Sequence, residues 1–325
     1  MKCEITRDIG AGADLIRQGE LVAFATETVY GLGANALNPE AVARIFEVKQ
    51  RPHFDPLIVH ISNIQYLDEL TYGLTEQARK LAEQFWPGPL TLVLPKRKKI
   101  PDLVTSGLDS VAIRIPAHPI ARQLLEAAEL PIAAPSANKF GCLSPTQASH
   151  VAEQLGSEIK LILEGGACAV GVESTVIQCT GEVPVLLRPG GISLEEIEGC
   201  VGEVRLAQIE DHAEAKSPLS PGMLPKHYAP RTRLTIADQL SDVPIEGSKG
   251  LLSLFSLEET FLKDCQFSAR EILSPSGDLK IAAARLFTAL RNLDAAGVDH
   301  IIALRMPEEG LGRTINNRLE RAAAT

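Results

Sequence analysis

The sequence predicts an α/β protein: a twisted mixed sheet with flanking helices, followed by a smaller Rossmann-like α/β C-terminal domain. Three observations carry this. Short Val/Ile/Leu-rich runs alternate with segments of helical spacing through roughly the first two hundred residues. Some strands follow one another with no helix between, from about Leu90 to Ile115 and from Thr175 to Leu187, which a strictly parallel sheet does not allow. The alternation then stops and resumes, dividing the 325 residues into a first domain over 1–202, a linker over 203–233 and a second domain over 234–325. A chain of this length is also long for one core.

The strands expected in the first domain are Leu21–Ala25, Leu57–Ile61, Leu90–Leu94, Ser110–Ile115, Pro131–Ala134, Ile159–Leu163, Thr175–Cys179 and Val185–Leu187. Three helices are expected among them. Pro39–Lys49 opens with proline at its first position and repeats Ala, Val, Ile and Phe on one face. Thr75–Phe85 runs up to Pro87 and Pro89, and Pro145–Leu155 has Ser144 before it as an N-cap. Gly31 and Gly33 are expected to let the chain turn tightly after the first strand. The linker segment Ser217–Arg231 holds four prolines and a glycine, yet also His227 and Tyr228, unusual in a passive spacer. Beyond it Gly250–Ser256 and His300–Leu304 read as strands, with Asp278–Ala296 and Gly312–Ala324 as helices.

Composition excludes several classes. Apolar residues make up 45% of the chain and charged residues 22%, the balance of an ordinary globular protein. No apolar run approaches the roughly 20 residues that span a bilayer, and the N-terminus lacks the apolar stretch of a signal peptide. A cytoplasmic protein is expected. Its six cysteines form no CxxC pair, which fits free thiols in a reducing compartment. The net charge of -9 weighs against nucleic acid as the main ligand. The one basic run, Lys96–Lys99, reads as a solvated loop or an RNA-contact patch. There is no P-loop, no third glycine after Gly31 and Gly33 to complete a dinucleotide fingerprint, no HExxH and no GxSxG.

What recurs instead is polar and cationic residues at strand ends. Thr26, Glu27, Thr28 and Tyr30 follow the first strand. Lys49 and Arg51 end a helix, where cations complement the helix dipole, but Pro52 holds Arg51 extended and Pro56 does the same to Asp55, which suits an anion site. Arg114 alternates with Val111, Ile113 and Ile115. It either meets a structural carboxylate or awaits a carboxylate or phosphate ligand. Ser136, Asn138 and Ser144 follow small residues that let a ligand near the backbone, Ser144 serving equally as a helix cap. Ser174 precedes a strand and Arg188 ends one. Four cations, Lys49, Arg51, Arg114 and Arg188, gathered in one cleft of an acidic protein would suit a nucleoside triphosphate.

Read together, "TETVYGLGA", "KQRP…DPLIVH", "WPGPLTLVL", "VAIRIPAHP", "APSAN…SPT", "ESTVI" and "LLRPGG" resemble the YrdC-domain threonylcarbamoyl-AMP synthases. "SPGMLPKHYAPR" and "NNRLERAA" are similar to the long form, which adds a linker and a C-terminal domain. The resemblance implies a YrdC-like first domain and a nucleotidyltransferase. Such an enzyme joins L-threonine, bicarbonate and ATP, with Mg2+, into threonylcarbamoyl-adenylate and pyrophosphate. It implies that a tRNA threonylcarbamoyl-transferase complex receives the product and modifies an adenosine beside the anticodon. Carried onto matching positions, it implies threonine contacts from Thr28, His60, Arg114, Ala134 and Ser174. ATP contacts would come from Arg51, Asp55, Ser110, Ser136, Ser144 and Arg188, with Tyr228 closing from the linker. Lys49 and Arg51 would offset charge on the α-phosphate, and no side chain is expected to ligate the metal directly. A linker lid would exclude water from a labile carbamate, so deleting 217–231 is expected to leave the first domain folded but nearly inactive. The competing readings are a non-catalytic RNA-binding protein, disfavoured by acidity and an aromatic content of 4%, and another carbamoyl or adenylate chemistry on the same domain.

Overall fold

The computed structural model describes residues 3–207, 227–239, 247–257 and 267–324. The chain divides into two compact units. The first holds the residues up to Phe140, Pro145–Ala169, and the chain from Glu173 through the last strand of its sheet; the second holds Gly141–Ser144, Val170–Val172 and the described residues from His227 on.

The first unit is built on an 11-stranded mixed sheet in the order β1-β8-β2-β3-β7-β4-β6-β5-β9-β10-β11. Its strands are β1 (Glu4–Thr6), β2 (Val22–Phe24), β3 (Gly31–Asn35), β4 (Ile58–His60), β5 (Leu90–Pro95), β6 (Ser110–Arg114), β7 (Ile132–Ala133), β8 (Leu161–Leu163), β9 (Thr175–Gln178), β10 (Val185–Arg188) and β11 (Arg205–Leu206). The consecutive pairs β2/β3, β5/β6 and β9/β10 are antiparallel, while β4/β6 and β5/β9 are parallel. The expected mixed character is present, but the β5–β6 connection, expected to be helix-free, carries a short helix at Asp102–Thr105.

Helices cover this sheet unevenly. α1 (Ile9–Arg17) and α6 (Pro119–Ala128) pack Ala13, Ile16, Leu124 and Leu125 onto Val22, Phe24 and Ile132. On the other face α2 (Pro39–Lys49), α4 (Glu76–Phe85), α7 (Ala148–Leu155) and α8 (Leu194–Val201) contribute to a larger core with Leu32, Val59, Leu92, Ile113 and Ile177. The short helices α3 (Tyr66–Leu70) and α5 (Asp102–Thr105) complete the unit. A third cluster, Ile58, Val93, Ala112, Val176, Val185 and Leu187, contains no helical residue. Strand alternation puts His60, Arg114 and Thr91 on the face that carries this cluster, which is the face that α1 and α6 cover further along, since His60 pairs with Ile132.

Two local expectations are corrected. Gly31 and Gly33 do not form a turn; they lie inside β3. A Cβ on Gly33 would stand 2.7 Å from the Phe24 ring and 2.8 Å from the Ile132 methyl, so glycine is there for close packing across β2 and β7. Ser144 caps no helix: α7 starts at Ala148 with Gln147 before it. Strands β1, β3 and β11 and helices α1, α3, α5, α6 and α8 were not anticipated; the strands are short or glycine-rich runs that lack a clear period.

The second unit carries a four-stranded, all-parallel sheet in the order β12-β15-β13-β14, formed by β12 (Arg233–Ala237), β13 (Lys249–Ser253), β14 (Phe267–Ile272) and β15 (His300–Leu304). Two helices follow the later strands, α9 (Leu279–Ala295) and α10 (Gly310–Ala323). Asp278 caps α9 through the amides of Lys280 and Ile281. Of the expected lid, residues 217–226 lie outside the described residues. Among the described residues five cysteines are free thiols, and no helix is long and apolar enough to cross a membrane.

Candidate active site

The first unit brings three of the expected cations to one carboxylate. Lys49 ends α2, where Gln50 takes a left-handed conformation and stops the helix. Its side chain is 1% exposed, and its Nζ donates to the carbonyls of Ser136, at 2.6 Å, and Asn138. Arg51 does not reach outward as its flanking proline suggests. It folds back on its own loop, donating from Nε to the Asp55 carbonyl (3.1 Å) and from Nη2 to that of Pro56 (2.9 Å). The same Nη2 lies 2.8 Å from the Asp55 carboxylate, with both side chains buried. Arg188, at the end of β10, donates to the Ser174 carbonyl from Nε (3.2 Å) and Nη2 (2.9 Å) and reaches its hydroxyl at 3.2 Å. Burial pushes the Asp55 carboxyl up, while Arg51, Lys49 and Arg188 all pull it down. All three are therefore within electrostatic reach of Asp55.

A second group stands on the sheet face that carries Ile58 and Ala112. Arg114 ends β6 directly opposite His60 on β4. Of the two outcomes open to Arg114, the structure shows the first: its Nη2 pairs with the Glu27 carboxylate. Its Nη1 donates to Thr28 Oγ1 (2.9 Å) and its Nε to the Gly88 carbonyl (3.0 Å). Thr28 Oγ1 lies 2.8 Å from Thr26 Oγ1, which bonds to the Val29 carbonyl. These loop hydroxyls hold the segment after β2 against Arg114. Burial, aided by the Arg114 charge, pushes His60 down to about 3, so its ring is neutral. It packs edge-on to Phe24 at 6.2 Å.

Ser174 joins the two groups. Its hydroxyl is 2.7 Å from Thr91 Oγ1 on β5 and also receives Arg188. The loop Pro87-Gly88-Pro89 supports both sides, since Gly88 accepts from Arg114 and the Pro89 carbonyl accepts from the Thr175 amide. A Cβ on Gly88 would lie 2.2 Å from the Phe85 carbonyl oxygen, so only glycine fits there.

The remaining expected residues take different positions. Ala134 is buried against Phe24, and its amide donates to the Ile58 carbonyl. Ser110 opens β6 on the same face as Arg114. Ser136 offers its carbonyl to Lys49. Ser144 and Tyr228 belong to the second unit. There Ser144 is fully buried and its carbonyl accepts from Arg291 Nη2, while Tyr228 packs on Phe287 and beneath the Arg318 guanidinium at 5.0 Å. Two participants were missing from the expected set, Glu27 and Thr91. The signal for Glu27 was present: an acid in an otherwise buried segment requires a cationic partner.

The basic run is largely spent on local bonds. Lys96 pairs with Asp102 (2.6 Å), Lys99 with Glu69 (2.5 Å), and Arg97 donates to the carbonyls of Asp68 and Thr71. Among the described residues no group of three or more His, Cys, Asp or Glu could hold a metal ion.

Comparison with known proteins gives two family matches. Residues 14–190 match a family described as telomere recombination (Sua5/YciO/YrdC), and residues 192–324 match one described as threonylcarbamoyl-AMP synthase, C-terminal domain. A threonylcarbamoyl-AMP synthase of Pyrococcus abyssi is 46% identical over 318 residues, covering 97% of this chain and 94% of the relative. One of Bacillus subtilis is 46% identical over 325 residues, covering 97% and 92%. The crystal structure of P. abyssi Sua5 complexed with L-threonine superposes with a TM-score of 0.90 at 43% identity, covering 99% of this chain and 97% of that one. Escherichia coli YciO, at 23% identity and a TM-score of 0.51 over 58% of this chain, shares the fold.

Proposed function

The chain belongs to the threonylcarbamoyl-AMP synthase family, and from that premise we propose how its own residues divide the work. Its activity is the synthesis of threonylcarbamoyl-AMP, which serves tRNA modification. In the finer reading it is a nucleotidyltransferase: bicarbonate and L-threonine form a carbamate, whose oxygen attacks the α-phosphate of ATP and expels pyrophosphate. The relative from P. abyssi binds L-threonine, and the same amino acid is assigned here to Thr28, His60, Arg114, Ala134 and Ser174. ATP is assigned to Arg51, Asp55, Ser110, Ser136 and Arg188; the roles of Ser144 and Tyr228 rest on the resemblance alone.

The observation that carries this reading is the joining of two unlike groups through Ser174. On one side three cations, Lys49, Arg51 and Arg188, act together on the Asp55 carboxylate, a group of charges suited to a polyanion. On the other, a guanidinium, hydroxyls and a neutral imidazole offer contacts for a small polar zwitterion. Lys49 and Arg51 would stabilise charge growing on the α-phosphate, and holding three reactants side by side lowers the entropic part of the barrier. Asp55 is already paired with Arg51, so its charge is offset before a triphosphate arrives. Mg2+ would enter with ATP as part of the substrate. This reading carries with it a cytoplasmic location and delivery of the product to the complex that modifies tRNA.

The test is pyrophosphate release from ATP, measured with each amino acid and with or without bicarbonate. Turnover is expected only when threonine and bicarbonate are both present. ATP hydrolysis independent of amino acid, or tight tRNA binding without turnover, would overturn it. The RNA-binding alternative is not favoured, since Lys96, Arg97 and Lys99 of the basic run bond to Asp102, to backbone carbonyls and to Glu69.

A further inference from the structure

Glu27 has the burial of a core residue and the charge of a surface one. It is 8% exposed, and its ion-pair partner among the described residues is Arg114. The charged and titratable groups facing it are Arg114 on β6, His60 on β4 and Cys168 after β8. The imidazole is neutral, and burial pushes the Cys168 thiol up to about 12. The pair Arg114–Glu27 is therefore electrically balanced by itself. Adding the carboxylate of an amino acid to Arg114 would put two negative charges against one positive in a buried place, which is costly. A zwitterion resolves this, because its ammonium supplies the missing positive charge.

We propose that Glu27 is a catalytic residue of the threonine half-site: the substrate carboxylate displaces it from Arg114, and the released carboxylate then receives the substrate ammonium and takes its proton. The proposal rests on reading the Arg114 group as the threonine site. One N–H bond of the ammonium breaks and an O–H bond forms on Glu27. The electron pair left on nitrogen bonds to the carbon of bicarbonate, the C–OH bond breaks, and the departing hydroxide takes a second N–H proton, giving carbamate and water; Glu27 later returns its proton to solvent. The exchange itself sets the timing. Burial is the largest single influence on Glu27 and pushes its carboxyl up, but Arg114 and the backbone hydrogen bonds at Glu27 and Ala117 together hold the group below its ordinary value. When the substrate carboxylate takes over Arg114, Glu27 faces the ammonium instead, and burial favours the uncharged amine and carboxyl over that charged pair, which moves the proton to Glu27.

Glu27→Gln keeps the shape and removes the base. At neutral pH its kcat is expected to fall about 10²- to 10⁴-fold, with a smaller change in KM for threonine. Its rate is expected to climb with rising pH, as free threonine supplies its own neutral amine, while the wild-type profile stays flatter. Glu27→Asp, which keeps the carboxylate, is expected to recover much of the loss, and ATP binding by calorimetry stays unchanged in both. A Gln variant with wild-type kcat would overturn the proposal. So would equal losses at every pH with no rescue by Asp, the pattern of a purely structural ion pair. A second measurement needs no variant. The analogue of threonine with hydroxyl in place of ammonium should bind the wild-type enzyme at least about tenfold more weakly than threonine; equal binding overturns the assignment. Wild-type turnover that ignores threonine sinks both this proposal and the site reading, whereas threonine-dependent turnover with an unaffected Gln variant sinks only the role of Glu27.

Discussion

Arg188 and Arg51 look alike in the chain but are held differently. Arg51 is matched by Asp55, whereas the contacts described for Arg188 are to Ser174, a carbonyl and a hydroxyl. Both also act on the Asp55 carboxylate, which is why Arg188 is assigned with Arg51 to ATP. Arg188→Ala is expected to weaken ATP binding by 1.5–3 kcal/mol, about 10- to 100-fold, in isothermal calorimetry. Wild-type affinity in that variant would remove Arg188 from the ATP site. His60 makes a prediction about stability. Its ordinary value of 6.5 is pushed down to about 3, so below 6.5 the unfolded ring binds a proton that the folded ring refuses. Its contribution is complete above pH 6.5 and declines as pH falls toward 3, at about 1.4 kcal/mol per unit for one proton. Urea unfolding of His60→Gln is expected to show a shallower acid loss across that window than the wild type; parallel curves would contradict the assigned neutrality.

Elements show why some parts of the chain are easier to read than others. α2 has both of its signals in sequence: Asn38 accepts from the amides of Glu40 and Ala41, and Pro39 follows at the first position. It was legible to the residue, and it delivers Lys49. Asn38→Ala is expected to cost about 1 kcal/mol in chemical denaturation. β3 was not legible, because glycines carry no strand preference and the reason for them lies on other strands. Gly33→Ala must displace Phe24 or Ile132. The expected cost is about 1–3 kcal/mol, with ATP affinity in the folded fraction preserved. A neutral substitution would mean that the packing across β2 and β7 is looser than described. The late start of α7 has a similar cause. The residues before it serve tertiary bonds, with the Pro145 carbonyl accepting from Tyr30 and that of Thr146 from Cys168, so the cap-like Ser144-Pro145 pair does not begin the helix.

At the scale of the molecule, charge decides what the surface cannot do. The chain carries -9, and the run at 96–99 is tied to neighbours in its own unit. Free tRNA is expected to bind no tighter than the nonspecific range of about 10⁻⁴–10⁻⁶ M, measured by filter retention at physiological salt. Replacing Lys96–Lys99 with alanine is expected to leave threonine-dependent turnover unchanged. Nanomolar tRNA binding abolished by that replacement would revive the RNA-binding reading.

By itself the sequence determined the α/β class, the mixed sheet, the second α/β segment and the polar residues that a ligand would need, because period, helix caps and motif order are local properties of a chain. Tertiary structure alone decided which partner each charge has. Lys49 and Ser136, Arg51 and Asp55, Arg114 and Glu27, Arg188 and Ser174 are separated by very different lengths of chain, and strand register brings each pair together. Whether a buried cation is already neutralised or still favours an anion depends on distances in space, which spacing along the chain does not encode.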